Sequence, residues 1–328
     1  MADYQPSGSD PDSQSNDTNI LYSLVIPVYL NEASIPSLLQ IIEGLQEDLG
    51  NPLEVIFVID GSPDRSNELL LEKLPRQSFG SRILLLSRNF GSFAAIRAGL
   101  SRCSGRFIAV MAADLQEPIS LIHDMYSALC SGECDVVVGV REARDDPALA
   151  RLASEAFWAV YRRFVLSEIP PGGVDVFGCN EVFRDRLLTL EEAHSSLVAQ
   201  IFWLGYRRKC VPYVRQRRQH GTSAWTLKKK IDYLMNSMFA FTDLPIRLLT
   251  LMGLLGLAFS FVLGAAAVTA RLIGQINVPG YTATVCTVIF FGALNSFGLG
   301  VIGSYVWRTF ENTKARPLNI IMEETIIR

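Results

Sequence analysis

Between Arg247 and Arg308 the sequence carries a single charged residue, Arg271. This leaves uncharged runs over 248–270 and 272–307, each long enough to cross the ~30 Å hydrocarbon core of a bilayer as a helix. Such runs constrain the chain before any other feature does, because a backbone placed in lipid has to satisfy its own hydrogen bonds. Gly274–Tyr281, with Pro279-Gly280 as its turn, joins the two runs, so a transmembrane hairpin is expected, with spans at 248–270 and 282–307. Arg247 precedes the first span, Arg308, Lys314 and Arg316 follow the second, and the connection holds only Arg271. The positive-inside rule then puts both termini and the whole domain of residues 20–226 on the cytoplasmic side, with 308–328 as a cytoplasmic tail. Gly292, Ser296, Gly300 and Ser304 recur every four residues in the second span. That small-residue stripe suits packing within the hairpin and packing between copies of the chain alike, and a homo-oligomer is expected.

Charge elsewhere is unevenly placed. The formal net charge is −3, but Asp3, Asp10, Asp12 and Asp17 supply −4 within residues 1–19, leaving a slightly basic remainder. This Ser/Asp-rich stretch lacks an apolar signal-peptide segment and is expected to be a disordered tail. Arg207 to Lys230 holds nine Lys/Arg and no acid, which suits an anionic ligand or a lipid surface, with a solvated basic face as the plainer alternative. Leu227, Ile231, Leu234, Met235, Met238 and Phe239 then share one helical face behind Lys228–Lys230. The region 227–247 therefore reads as an interfacial amphipathic helix, although a helix packed on a soluble domain has the same pattern. The six cysteines are scattered, with no C-x-x-C pair and no histidine at zinc-ligand spacing, so reduced cytosolic thiols are expected. No nucleic-acid partner is expected.

Residues 20–226 are expected to form an α/β domain built on a mostly parallel, Rossmann-like sheet. Strands are predicted at Leu21–Val28, Leu53–Asp60, Arg82–Ser87, Arg106–Asp114 and Asp135–Arg141, all rich in Val, Ile and Leu on both faces, as strands buried on both sides require. Helices are predicted between them at Ser34–Leu49, Ser66–Leu74, Phe93–Ser101 and Ile119–Cys130. In such sheets ligands lie beyond the carboxyl ends of the strands. Pro27, Tyr29 and Glu32 follow the first strand, Asp60 ends the second, Arg88 follows the third, Asp114 ends the fourth and Arg141 the fifth. Neither G-x-G-x-x-G after the first strand nor a P-loop is present, which disfavours a dinucleotide dehydrogenase or a P-loop NTPase.

Asp114-Leu-Gln116 ends a buried apolar strand, where a carboxylate needs a partner. A divalent cation shared with a substrate phosphate is one, and a helix cap before Pro118 is the structural alternative. Asp60-Gly-Ser-Pro-Asp-Arg-Ser66 is turn chemistry in which Asp64 or Ser66 would cap the next helix, while Asp60 would accept from a base or ribose. Arg141, Arg144, Arg151, Arg215 and Arg218 form a cationic supply whose guanidinium forks match phosphate oxygens. His220 is as well explained as a loop residue as by a catalytic base.

Ile26-Pro-Val-Tyr-Leu-Asn-Glu32, Asp60-Gly-Ser-Pro-Asp-Arg-Ser66, Ser87-Arg-Asn-Phe-Gly91, Asp114-Leu-Gln-Glu-Pro118, Val138-Gly-Val-Arg141 and Asp243-Leu-Pro-Ile-Arg247 occur in the order and spacing of polyprenyl-phosphate glycosyltransferases. These are family-2 glycosyltransferases of GT-A fold. Over about residues 20–310 the chain resembles the bacterial bactoprenol glucosyltransferase branch, with dolichol-phosphate mannose synthase as a cousin. The resemblance implies that Pro27, Tyr29, Glu32 and Asp60 hold the nucleotide, and that Asp114 and Gln116 bind Mg²⁺ or Mn²⁺ on its diphosphate. It further implies that Arg141, Arg151, Ser154, Arg215 and Arg218 handle the acceptor phosphate, and that Asp175 lies near the sugar. Asp114, Asp175 and Arg141 then form the catalytic set. The implied reaction moves a hexose, with glucose favoured, from a UDP-sugar to undecaprenyl phosphate at the bacterial inner membrane, inverting the anomeric carbon. The chain departs from the family at Ile59 and Ala112, where relatives often have aspartates, and at Ala224. A processive polysaccharide synthase is disfavoured because Gln-x-x-Arg-Trp is absent, and a degenerate membrane scaffold is the non-enzymatic alternative.

Overall fold

The computed structural model describes residues 21–143, 158–159, 161–163, 165–170, 173–192, 195–216, 227–273 and 280–327. The tail at 1–19 and Arg144, Arg151, Ser154, Arg218, His220, Ala224 and Pro279 lie outside the described residues.

Alternation of apolar side chains builds the centre of the fold. In β1 (Tyr22–Val28) and β2 (Leu53–Ile59), Leu24, Ile26, Val28, Val55, Phe57 and Ile59 enter one core, while Val25, Ile56 and Val58 enter the other. Each fully buried aliphatic contributes about 1.5–3 kcal/mol relative to exposure. The first core is covered by α1 (Ile35–Leu49) and α4 (Ile119–Cys130), which bury Leu38, Leu39, Ile42, Leu45 and Leu121, Ile122, Met125, Tyr126 at helical spacing. The second is covered by α3 (Ser92–Leu100), α5 (Glu181–Leu188) and α6 (Leu197–Trp203), while α2 (Ser66–Lys73) follows β2.

With β3 (Gly80–Leu86), β4 (Phe107–Val110), β5 (Val136–Ala143), β6 (Val174–Asn180), β7 (Arg208–Val214) and β8 (Ile321–Ile327), the strands form one eight-stranded sheet ordered β7-β5-β6-β4-β1-β2-β3-β8. β1 pairs parallel with β2 and β4, β2 with β3, and β5 with β7. β6 runs antiparallel between β4 and β5, and β8 antiparallel to β3.

The sheet is mostly parallel, as expected, with β6 inserted between β4 and β5. Two expectations are corrected here. β4 stops at Val110, so Asp114 lies in the loop beyond it and does not end the strand. The segment 308–328 is not a free tail: α9 (Tyr281–Thr313) runs into it and β8 rejoins the sheet, where Glu324 pairs with Arg82 at 2.6 Å and Arg102 at 3.1 Å.

α7 (Leu227–Phe241) leads into α8 (Leu244–Leu272), which packs beside α9. Among the described residues, Phe290–Thr313 is long and apolar enough to cross a membrane. Asp232–Phe241 with Leu244–Gly256, bent by 79°, forms a second candidate. Glycines lie at the α8–α9 contact: a Cβ on Gly256 would approach Phe291 to 3.1 Å, and one on Gly298 would approach Leu249 to 3.3 Å. The stripe glycines Gly292 and Gly300 have no such neighbour among the described residues, so the stripe is not what brings these two helices together.

Candidate functional site

The loops that follow β1 and β2 lock onto one another. Ser62 Oγ accepts from the Leu30 amide at 2.8 Å, Asp64 accepts from the Glu32 amide at 3.0 Å, and Glu32 returns an acceptor to the Arg65 amide at 3.1 Å. Asp64 also accepts from the hydroxyls of Ser62 and Ser66 at 2.6 Å and 2.9 Å. Partial burial opposes its charge, but these hydrogen bonds outweigh it and hold the carboxyl below its ordinary range. Its stabilisation is therefore full above about pH 4, the unfolded value, and is lost as pH falls through the lower folded value. An Asp64→Asn variant is expected to lose less stability than the parent across that acid window, as measured by denaturant titration at successive pH values.

Asp60 is buried, and its two carboxylate oxygens accept from the amides of Phe90 at 2.7 Å and Gly91 at 2.9 Å. It thus fastens the Arg88–Gly91 loop over the end of β2, a role not read from the sequence. The loop passes so closely that a Cβ on Gly61, whose φ is +58°, would sit 2.4 Å from backbone atoms of Arg88 and Asn89. Gly61→Ala is expected to destabilise by at least about 2 kcal/mol, which thermal melting would register. Tyr29 is exposed and Pro27 partly so, both at the same end of the sheet, whereas Ile59 is fully buried in the core and offers nothing to a ligand.

Beyond β4 the chain turns sharply. Leu115 has φ +57°, and Leu30 beyond β1 has φ +56°. Leucine avoids this region, so two such residues beyond neighbouring strand ends mark loops held in strained conformations. The Leu115 turn sets the Gln116 amide 3.4 Å from Asp114 Oδ1. Gln116 Oε1 accepts from Arg215 at 2.5 Å, its Nε2 donates to the Gln216 carbonyl at 3.3 Å, and its own carbonyl accepts from the Gln216 amide at 2.8 Å. Glu117 is 5% exposed and its Oε2 has no hydrogen-bond partner among the described residues. Burial, reinforced by repulsion from Asp114 and Asp175, raises its carboxyl to about 7.

Register assembles the rest. Val140 pairs with Val174 across β5–β6 and Arg141 with Tyr213 across β5–β7, so Arg141, Asp175 and Tyr213 converge. Arg141 forms an ion pair with Asp175, and Tyr213 donates to the same carboxylate at 2.8 Å. Burial works against the Arg141 charge, but Asp175 outweighs it and raises the pKa. Burial and Asp175 push the Tyr213 phenol above its ordinary range, so it remains a proton donor. Asp114, Gln116, Asp175, Arg141 and Arg215 are thus gathered at one end of the sheet. Tyr213, Gln216 and Glu117 have no role assigned from the sequence; Tyr213 lies in β7, inside the basic run. Among the described residues no three His, Cys, Asp or Glu side chains converge as a metal cluster. The hard oxygens of Asp114 and Gln116, beside a carboxylate oxygen that lacks a partner, fit a divalent cation that shares its shell with substrate phosphates.

Residues 23–190 match glycosyl transferase family 2. The chain is 30% identical to the uncharacterized glycosyltransferase sll0501 of Synechocystis, over 92% of this chain and 94% of that protein. It is 29% identical to the bactoprenol glucosyl transferase of Shigella phage SfV, over 92% of this chain and 98% of that protein. A crystal structure of glucosyl-3-phosphoglycerate synthase from Mycobacterium tuberculosis in complex with Mn²⁺, uridine-diphosphate and glucosyl-3-phosphoglycerate shares 18% identity over 62% of this chain and 73% of that chain, with a TM-score of 0.43. By its sequence match and its full-length relatives the chain belongs to glycosyl transferase family 2, and it is a glycosyltransferase.

Proposed function

We propose that the protein transfers a hexose, glucose in the first instance, from a UDP-sugar to a membrane polyprenyl phosphate at the cytoplasmic face, inverting the anomeric carbon. The observation that carries this reading is the return of β8 to the edge of the sheet. A chain that leaves the α/β domain through α7, enters apolar α8 and α9, and comes back to pair with β3 has to cross a membrane an even number of times. This favours a hairpin of two spans, 248–270 and 282–307, with both ends on the side of the catalytic domain of residues 20–226 and with 227–247 lying at the interface. Exposed Leu254, Phe261, Leu299 and Val306 on these helices suit lipid. A polyprenyl headgroup would then lie at the level of the site, in keeping with the acceptor in the name of the phage relative.

In the reaction a phosphate oxygen of the acceptor forms a bond to the anomeric carbon, and the bond from that carbon to the UDP diphosphate breaks with its electrons leaving on UDP. The acceptor is already an anion and needs no base, which matches a site rich in cations. The task of the protein is to align donor and acceptor and to stabilise the leaving group. Tyr29, Pro27, Glu32 and Asp60 border the nucleotide side. Asp114 and Gln116 would hold Mg²⁺ or Mn²⁺, which neutralises the departing diphosphate when bound. Arg141, Arg215 and the undescribed Arg151, Ser154 and Arg218 would take the acceptor phosphate, with Asp175 orienting Arg141.

The buried Ile59 and the alanine at 112 motivate a second reading, a membrane scaffold without turnover. Detergent-purified protein incubated with polyprenyl phosphate, divalent metal and a panel of labelled nucleotide sugars separates the two. Metal-dependent label in the organic phase from one donor is expected. No label from any donor would favour the scaffold.

A further inference from the structure

Gln116 and Arg215 are paired with one another. The amide oxygen accepts from the guanidinium at 2.5 Å, and the amide nitrogen is spent on the Gln216 carbonyl at 3.3 Å. Under the proposed function, on which this inference rests, the same oxygen faces the donor's cation and the same guanidinium faces the acceptor's phosphate. Both cannot hold while the two groups stay paired, because a divalent cation and a guanidinium sharing one amide oxygen would repel across a few ångströms.

We infer that Gln116 is a latch between the donor and acceptor subsites, restraining Arg215 until its oxygen turns to the cation of the bound donor and so releasing Arg215 to the acceptor phosphate. Arg215 is suited to the change. Its Nε is buried without a hydrogen-bond partner among the described residues, and there its guanidinium donates to one neutral amide oxygen. Glu117 is buried close by, with Oε2 unpartnered among the described residues. The released guanidinium can then meet phosphate with charge-assisted hydrogen bonds, stronger than the one it gives up. Donor loading would therefore favour acceptor binding, and reciprocally, since coupling between two sites acts in both directions.

The test is equilibrium binding of geranyl phosphate to the full chain in detergent by calorimetry, with no metal and no nucleotide present. Gln116→Ala is expected to bind about tenfold more tightly than the parent, within the usual range of coupling between sites. Gln116→Asn, with its shortened reach, is expected to shift in the same direction. Adding Arg215→Ala to Gln116→Ala should abolish the gain. UDP with Mn²⁺ should tighten binding by the parent by a similar factor and leave the Arg215→Ala variant unchanged. Thermal melting of each variant establishes that it is folded. If UDP with Mn²⁺ tightens the parent while both Gln116 variants bind like it in the substrate-free state, the latch is wrong and the acceptor assignment stands. If the parent binds geranyl phosphate in no state, the acceptor assignment is wrong and the latch falls with it.

Discussion

Asp114→Asn is expected to lower sugar transfer by at least about a hundredfold, the scale seen when one stabilising contact to developing charge is removed. Under the proposed function, with Ala112 in place of a second acid, Asp114 would be the carboxylate this loop offers to a cation on the leaving diphosphate. The change is isosteric and keeps a side-chain oxygen facing the Gln116 amide, so the strained turn at Leu115 has the same local partner. Initial rates with saturating donor and a thermal melt on the same preparation separate the two effects: the rate should collapse while the melting temperature stays within a few degrees. A variant with near-parental rates would show that the leaving group is stabilised elsewhere.

Ending the chain after Asn319 is expected to have the largest effect on stability. The backbone of β8 pairs with Ser81–Leu86, and the Ile320 carbonyl accepts from the Ser87 amide at 3.0 Å. Losing several such hydrogen bonds costs on the order of 5 kcal/mol and leaves β3 as an unprotected edge. By contrast Glu324→Ala removes the ion pairs with Arg82 and Arg102 while keeping the strand, and should cost no more than about 1 kcal/mol, as partly exposed ion pairs do. The truncated chain should also bind UDP more weakly, because Ser87 adjoins the Arg88–Gly91 loop that Asp60 fastens. Gel filtration in detergent, thermal melting and UDP titration of the two variants check these outcomes.

What could be read from the sequence follows from how local the signals are. β1 and β2 are legible as continuous apolar runs, and α4 is legible because its apolar residues recur at helical spacing. β7 was hidden inside a basic run, since an edge strand buries only alternate residues, and its charges were read as a ligand surface. β8 carries Glu323 and Glu324, and its partner β3 lies some 240 residues earlier, which no periodicity can reveal. The site divides in the same way. Asp60 stands in a segment whose turn chemistry marks it, and Asp114 and Gln116 follow a buried apolar run, although the loop that carries them begins earlier than the run suggests. That Arg141 is held by Asp175, and that Asp60 fastens the Phe90–Gly91 backbone, depends on register and on loop crossings set by tertiary packing.

The most direct test of the central claim is to identify both products formed from a UDP-hexose and a polyprenyl phosphate, by phosphorus NMR of the lipid and chromatography of the nucleotide. Attack of the acceptor phosphate on the anomeric carbon gives a lipid phosphodiester and UDP in equal amounts. A lipid diphosphate with UMP would mean that a phosphosugar had been transferred instead, and an unchanged lipid with intact donor would mean that this glycosyltransferase does not use a polyprenyl phosphate as its acceptor.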